Sequence, residues 1–423
     1  MAESTDPVRE AAARAKHASR ALSHLATAVK DRALVAMAAA LRRDAAAILE
    51  ANRQDLAAAD ALTGDDAIPA PMRSRLALDE KKVEAMASAL EEIAAQPDPV
   101  GDVEERSRRP DGLEIGRMRV PLGVIAMVYE ARPNATSDAA GLALKSGNAV
   151  LLRGGREALR SNLAIGASLD RAARDAGVPD GWLHVFPRPD REDVLALLQL
   201  DDLVDLVVPR GGESLIEFVA KNARMPVLRH ARGVCHVYVD RAADLDMAIR
   251  IVVNSKAQNP SVCNAAEALL VDVAIRAEFL PKVVKALLEA GVEIRGDAAF
   301  VSTDSRVVPA RESDWGTEFL APVLAARVVA GFDEALAHIA RYGSRHTEVI
   351  VTRDTATSQR FLREVDASAV IVNGSTRLND GGTLGLGAEL GISTSKLHAY
   401  GPMGARELTT RKFVVLGDGH LRT

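Results

Sequence analysis

The chain has 423 residues, of which 48% are hydrophobic and 26% are charged, a composition typical of soluble globular proteins with two or three domains. Its net charge of −5 and its 3% aromatic content provide neither the positive field nor the stacking surfaces that nucleic-acid binding requires. The N-terminal residues lack the order of a signal peptide, and no apolar run approaches the roughly 20 residues that cross a bilayer. We therefore expect a cytoplasmic protein without nucleic-acid or membrane partners.

Residues 7–96 are predicted to form helices. This region is rich in alanine and contains few turn residues, and Leu22, Leu25 and Val29 recur at helical spacing. We interpret these segments as amphipathic helices of the scaffold.

After residue 110 the pattern changes to strands that alternate with helices. Residues 113–120 alternate like an exposed strand, whereas 121–129 are almost continuously apolar, which is typical of a strand buried in a parallel sheet. The further predicted strands are 149–152, 183–186 and 204–208, and the intervening helices include 158–176 and 191–198. This alternation predicts a doubly wound α/β sheet.

Two of the predicted strands end in a pair of glycines flanked by arginine. The residues are Arg153, Gly154, Gly155 and Arg156 after one strand, and Arg210, Gly211 and Gly212 after the other. Ligands of α/β sheets bind at the carboxyl ends of strands, where glycine lets the backbone approach a pyrophosphate and arginine can bind phosphate. A simple turn would explain one such pair, but two pairs favour phosphate binding. The Gly-x-Gly-x-x-Gly dinucleotide pattern is missing from the sequence.

A second α/β domain is indicated after Asp240, where the helix–strand alternation restarts around Cys263. Residues 233–240 alternate so that Cys235 falls on an apolar strand face, and later strands are predicted at 348–351, 369–372 and 408–416. Cys235 is therefore interpreted as a structural residue.

Cys263 is the other of the two cysteines, and it lies on a connection between a predicted helix (243–256) and a predicted strand (268–273). A free cysteine is often a buried, inert residue. Its polar neighbours favour an accessible nucleophile instead; they are Gln258, Asn259, Ser261 and Asn264. The different settings of the two cysteines argue against a disulfide framework and indicate a reducing compartment.

Together these segments resemble the aldehyde dehydrogenase superfamily and, within it, the gamma-glutamyl phosphate reductase family, over almost the whole chain. The resemblance rests on 129–134 (YEARPN), 144–148 (LKSGN), 150–155 (VLLRGG), 208–212 (VPRGG), 233–239 (GVCHVYV), the Cys263 segment, 379–382 (NDGG), 387–394 (GAELGIST), 396–398 (KLH) and 401–404 (GPMG). No single segment is specific for the family, but the occurrence of all of them in this order is.

The resemblance implies an aldehyde dehydrogenase-like α/β fold in three parts. A doubly wound NADP-binding domain would comprise 1–106 and 122–235, and an α/β catalytic domain would comprise 236–405. A small β flap, 107–121 with 406–423, would serve oligomerisation, so a homo-oligomer is expected.

The resemblance further implies the NADPH-dependent reduction of L-glutamate 5-phosphate to L-glutamate 5-semialdehyde and phosphate, the second step of proline biosynthesis. Channelling with glutamate 5-kinase is a candidate interaction, and no metal is implied. Three alternatives remain at this point: an aldehyde-oxidising dehydrogenase of the same superfamily, a nucleotide-independent cysteine acyltransferase or hydrolase, and a catalytically silent nucleotide-binding subunit.

The implied residue roles are as follows. Cys263 matches the nucleophile, Asn134 the residue that stabilises the oxyanion, and Glu318 the residue that binds the nicotinamide ribose; the two arginine–glycine segments would bind the cofactor phosphates. The substrate carboxylate and ammonium would be bound near Ser375, Arg377, Gly381 and Gly382. The alternatives are an Asx turn for Asn134, an exposed surface carboxylate for Glu318 and an unpaired loop residue for Arg377. The sequence departs from the family pattern at Arg345 and Leu378.

One expected residue is absent. Members that oxidise aldehydes to acids carry a glutamate upstream of the thiol that activates water, but residues 226–236 contain no carboxylate. They contain Arg229, His230, Arg232 and His236 instead. Of these, His230 could in principle act as a base, although a structural histidine is the favoured interpretation.

Overall fold

The computed structural model describes residues 6–64, 67–228 and 232–422. The chain divides into two compact units. The first comprises Met1–Arg229, Gly385–Gly391 and Met403–Thr423, and the second comprises His230–Leu384 and Ile392–Pro402.

The N-terminal part of the first unit is helical, as predicted. Its helices are α1 (Pro7–Leu22), α2 (Thr27–Arg43), α3 (Ala45–Asp60), α4 (Ala70–Leu76) and α5 (Glu80–Ala95). The Asp6 side chain accepts a hydrogen bond from the Val8 backbone N–H (2.9 Å) and caps α1, which starts with proline at its first position. Residues at helical spacing, most of them alanine, form the buried face of this helix.

A four-stranded parallel sheet follows in the same unit. Its strands are β3 (Val124–Tyr129), β4 (Ala149–Gly154), β5 (Leu183–Val185) and β6 (Leu206–Arg210), in the order β5-β4-β3-β6. The accompanying helices are α6 (Asn134–Lys145), α7 (Leu159–Asp175), α8 (Arg191–Leu197) and α9 (Glu213–Asn222). All six residues of β3 are buried, as its apolar sequence predicts. Because β4 and β6 both pair with β3 in parallel, their carboxyl ends lie at one edge of the sheet.

The first unit also contains an antiparallel sheet of three strands, β1 (Val103–Arg108), β2 (Glu114–Pro121) and β16 (Thr409–Leu416), in the order β1-β2-β16. Strand β1 is not evident from the sequence, since its residues VEERSR show no apolar alternation. Strand β1 forms because it pairs with β2. An ion pair between Glu104 of β1 and Arg119 of β2 (2.6 Å) adds a side-chain contact between the two strands.

The second unit is built on a seven-stranded parallel sheet. The strands are β7 (Cys235–Val239), β8 (Ala266–Asp272), β9 (Glu293–Gly296), β10 (Val308–Pro309), β11 (Val323–Val329), β12 (Thr347–Val351) and β13 (Ala369–Val372), in the order β10-β9-β11-β8-β7-β12-β13. Its helices are α10 (Leu245–Ala257), α11 (Arg276–Glu289), α12 (Ala298–Val301), α13 (Phe332–Tyr342) and α14 (Thr355–Glu364). A short antiparallel pair, β14 (Ile392–Ser393) and β15 (Gly401–Pro402), completes the unit.

Strand β7 differs from its sequence pattern. Alternation predicts one apolar face, but all five residues are buried, because helices cover both faces of the sheet: Val237 and Val239 belong to the same buried cluster as Val252 of α10, and Tyr238 to the same cluster as Ile339 of α13. The polar side chain of His236 is accommodated by Glu348 of β12, whose Oε2 lies 2.9 Å from His236 Nδ1. Both faces of this strand therefore belong to the core.

No helix in the described ranges combines the length and the apolar composition that spanning a lipid bilayer requires.

Candidate active site

Cys263 lies in the segment that connects α10 to β8, at the amino-terminal edge of the seven-stranded sheet. Its side chain is half-buried, whereas Cys235 at the start of β7 is fully buried. Burial raises the pKa of the Cys235 thiol well above its usual value. Only Cys263 thus has the partial exposure that a nucleophilic thiol needs.

The backbone of Cys263 is held by the start of β7. Cys235 donates a hydrogen bond from Sγ to the Cys263 carbonyl oxygen (3.2 Å). A β-carbon built on Gly233 would lie 2.6 Å from the Cys263 carbonyl carbon and would overlap its oxygen. Glycine is therefore required at 233 by the close approach of two backbone segments, and Cys235 supports the nucleophile directly.

We expect Gly233→Ala to lower kcat/KM by about a hundredfold, because the methyl group must displace the backbone that carries the thiol. Gly316→Ala is the matched control in the same unit, since its nearest heavy atoms would lie 3.8 Å away. Steady-state kinetics with thermal unfolding of both variants checks the prediction. Equal activity of the two variants would contradict it.

Glu318 lies beside the same backbone. Its Oε1 accepts a hydrogen bond from the Gly233 N–H (2.9 Å), and its side chain is half-buried. The structure therefore brings Glu318, Gly233 and Cys263 into one cluster. The alternative of an exposed surface carboxylate does not describe this residue.

Ser375 and Arg377 contact the helix that leads to the thiol. The Oγ atoms of Ser375 and Ser255 are 3.1 Å apart, and Arg377 donates from Nε to Gln258 Oε1 (2.8 Å). Arg377 is thus hydrogen-bonded rather than an unpaired loop residue. Farther along the chain, Gly381 is buried and Gly382 is exposed.

The arginine–glycine segments lie at the carboxyl ends of β4 and β6, as expected. Gly155 precedes a 3-10 helix (Arg156–Ala158) that continues into α7, and Gly212 precedes α9; neither start has a side-chain cap. Backbone N–H groups at the start of a helix without a side-chain cap can bind anions.

The three arginines of these segments differ in their surroundings. Arg153 is half-buried and donates from Nη2 to the carbonyl oxygens of Pro189 (2.6 Å) and Asp190 (3.2 Å), and burial lowers its pKa. Arg156 is exposed. The guanidinium of Arg210 packs against Gly391, where a β-carbon would lie 2.9 Å from its central carbon.

Two carboxylates at this edge were missed by sequence reasoning. Glu130 Oε2 accepts from the Gly212 N–H (2.8 Å), and Glu157 Oε1 accepts from the Ala131 N–H (2.6 Å). Glu130 directly follows the predicted strand 121–129, and Glu157 directly precedes the predicted helix 158–176; these positions could have drawn attention to them. Side chains on Gly155 or Gly211 would collide with these carboxylates.

Asn134 is the first residue of α6, and its side chain is exposed. It donates from Nδ2 to Asp138 Oδ2 (3.1 Å), one helical turn farther on. Burial is the main reason that the pKa of Asp138 is raised to about 7, while the hydrogen bond from Asn134 acts in the opposite direction.

Among the described residues, no group of three or more His, Cys, Asp and Glu side chains is arranged to hold a metal ion. His236 and Glu348 form a buried pair, and His338 is packed against His236 with a ring-centroid distance of 5.5 Å. Arg229 and His230 lie outside the described residues.

Comparisons with known proteins agree with the fold. A profile of the Aldehyde dehydrogenase family matches residues 2–305. Gamma-glutamyl phosphate reductase of Anaeromyxobacter sp. (strain K) is 54% identical over 419 residues, which cover 98% of this chain and 97% of that protein. The protein of the same name from Geotalea daltonii is 50% identical over 417 residues and 99% of both chains. The crystal structure of gamma-glutamyl phosphate reductase from Thermotoga maritima superposes with a TM-score of 0.94 at 44% identity, covering 99% of this chain and 100% of that one.

Proposed function

This chain belongs to the gamma-glutamyl phosphate reductase family of the aldehyde dehydrogenases, and from that membership we propose that it reduces L-glutamate 5-phosphate to L-glutamate 5-semialdehyde and phosphate with NADPH. This reaction is the second step of proline biosynthesis from glutamate. The observation that carries the proposal is the identity of 50–54% over nearly the full length of relatives with that name. The test is NADP⁺ reduction with the semialdehyde, which must depend on added phosphate.

The Cys263 thiolate attacks the acyl phosphate carbonyl carbon. A carbon–sulfur bond forms, the carbon–oxygen bond to phosphate breaks, and phosphate leaves with one proton, so that a thioester remains on Cys263. Partial exposure of the Cys263 side chain supports this role, as does the support of its carbonyl by Cys235.

When bound, NADPH supplies a hydride to the thioester carbon. The resulting thiohemiacetal on Cys263 collapses, releases the aldehyde and regenerates the thiolate. The side-chain amide of Asn134 and the Cys263 N–H are proposed to stabilise the oxyanion during these steps. The substrate carboxylate and ammonium are assigned to Ser375, Arg377, Gly381 and Gly382.

The residues at the carboxyl ends of β4 and β6 fit a cofactor that carries phosphate. Arg153 Nε is buried and has no hydrogen-bond partner among the residues that the structure describes, so this side chain retains a donor for a ligand. We assign cofactor phosphates to Arg153, Gly154, Gly155, Arg156, Arg210, Gly211 and Gly212, and the nicotinamide ribose to Glu318. Aldehyde dehydrogenases use NAD(P), and the preference for NADPH is part of the proposal.

Arg153→Ala and Arg156→Ala should weaken NADPH binding more than NADH binding if either side chain contacts the 2′-phosphate. Loss of one charged hydrogen-bonded contact should cost about 1.5–3 kcal/mol. Titration of each variant with both cofactors measures the difference. Equal weakening of NADPH and NADH would assign these arginines to the pyrophosphate or remove them from the site.

Each of the three implied domains is assigned one function. Residues 1–106 with 122–235 are proposed to bind NADP, 236–405 to carry the chemistry, and 107–121 with 406–423 to form an oligomerisation flap. Exposed apolar side chains on β16 support assembly of a homo-oligomer through this flap: Phe413 (67%), Val415 (54%) and Leu416 (62%). A cytoplasmic location and channelling with glutamate 5-kinase belong to the same proposal.

A further inference from the structure

A buried ion pair joins the two ends of the segment that carries Cys263. Lys256 lies in the last turn of α10, Glu267 lies at the start of β8, and Cys263 is between them in sequence. Lys256 Nζ is 2.5 Å from Glu267 Oε2, and both side chains are 0% exposed. The pair therefore links α10 to β8, the helix and the strand that flank the segment carrying the thiol.

The same pair reaches the segment that contains Glu318. The second oxygen of Glu267, Oε1, accepts a hydrogen bond from the Leu320 N–H (3.4 Å), and Leu320 has a left-handed φ of 51°. Lys256 Nζ lies 6.0 Å from the centroid of the Phe319 ring. Glu318 in turn accepts from the Gly233 N–H, next to the Cys263 carbonyl. One ion pair thus contacts both the thiol segment and the Glu318 segment.

Burying the charges of Lys256 and Glu267 costs free energy of desolvation. Burial is the main cause that raises the pKa of Glu267 to about 7 and lowers the pKa of Lys256, and the interaction between the two groups opposes both shifts. Well-packed apolar residues of similar volume often give equal or greater stability than a buried ion pair. A gain in folding stability therefore does not explain why two charged residues are buried here. The Lys256–Glu267 ion pair is directional, however, and can fix the positions of the segments that it joins.

We propose that Lys256 and Glu267 are positioning residues, which keep the Cys263 thiol and Glu318 at the relative positions that hydride transfer requires. This inference rests on the proposed function, because it assigns the thioester to Cys263 and the nicotinamide ribose to Glu318. The effect of Lys256 and Glu267 is exerted through the backbone of 256–267 and of 318–320.

The main test is the double variant Lys256→Met/Glu267→Gln, which removes both charges and leaves no buried ion unpaired. We expect the variant to fold, with kcat reduced by about a hundredfold and KM for the semialdehyde within about threefold of wild type. Alkylation of Cys263 by iodoacetamide, located by peptide mass spectrometry, should proceed within about threefold of the wild-type rate, since exposure of the thiol is retained. The control removes an exposed ion pair of α11 with a separation of 2.9 Å, through Lys282→Met/Glu278→Gln, and should leave all three quantities unchanged.

Other outcomes overturn the proposal. A folded double variant with wild-type kcat would make the pair structural only, and a loss of kcat that merely tracks the folded fraction measured by circular dichroism would do the same. A parallel fall of kcat and alkylation rate would show that the pair acts on thiol reactivity rather than on position.

A second variant keeps the test decisive if the double variant does not fold. Glu267→Asp retains both charges but shortens the carboxylate arm by one carbon, and we expect a folded protein with kcat reduced at least about tenfold. Wild-type kcat in this variant would overturn the proposal. Failure of the proposed function is separable, because it would appear in the wild-type enzyme as NADP⁺ reduction that does not depend on phosphate.

Discussion

Cys263→Ser should abolish turnover, with kcat reduced by about a thousandfold or more, while the fold and NADPH binding are retained. A serine hydroxyl is scarcely ionised without a dedicated base, so it cannot replace a thiolate as the attacking group. The half-buried side chain can accept this substitution without disturbing the core. Kinetics, circular dichroism and cofactor titration of the purified variant measure the three quantities.

Cys235→Ser is the matched control for this experiment. Its hydroxyl can still donate to the Cys263 carbonyl, as the Cys235 thiol does at 3.2 Å, so most activity should remain. Stability should fall by about 1 kcal/mol, because a hydroxyl replaces a fully buried sulfur. An inactive Cys235 variant beside an active Cys263 variant would show that the nucleophile is assigned to the wrong cysteine.

The enzyme should also require phosphate when it runs in the oxidative direction. With semialdehyde and NADP⁺ alone it should make little glutamate, and added phosphate should raise the rate of NADP⁺ reduction by about a hundredfold and yield the acyl phosphate. A positioned general base contributes about 10²–10⁴-fold to such a step, and within 6–64, 67–228 and 232–422 none is evident for attack by water on the Cys263 thioester.

The carboxylates and histidines near the thiol support this expectation. Glu318 accepts from the Gly233 N–H, and Glu267 is bound in the buried pair with Lys256. His236 is fully buried beside Glu348. Product analysis with and without phosphate is the measurement, and rapid formation of glutamate without phosphate would favour an aldehyde-oxidising dehydrogenase instead.

Much of the fold is predictable from local patterns. The strands at 149–154 and 206–210 are apolar segments followed by glycine, and both are found in the predicted parallel sheet. The connection around Cys263 is recognisable because polar residues interrupt an apolar helix–strand pattern. These features depend on residues close together in sequence, which is why periodicity and composition detect them.

Other features depend on contacts between distant residues. Strand β1 exists because it pairs with β2. Strand β7 pairs with β12, which lies more than a hundred residues farther along the chain, and the His236–Glu348 pair between them has a sequence separation of 112. Propensity in a short window cannot contain this information, since the sheet order is set by the whole topology.

The alternation of strands and helices, the thiol on a polar connection and the glycine pairs at strand ends can all be recognised from the order of the residues alone. Three contacts are evident only in the folded chain: the hydrogen bond from Cys235 to the Cys263 carbonyl, those from Arg153 to the Pro189 and Asp190 carbonyls, and the ion pair of Lys256 with Glu267. The physical reason is that hydrogen bonds and ion pairs require a defined distance and direction. Those are fixed when the strands pack, whereas the polarity of each residue is present before folding.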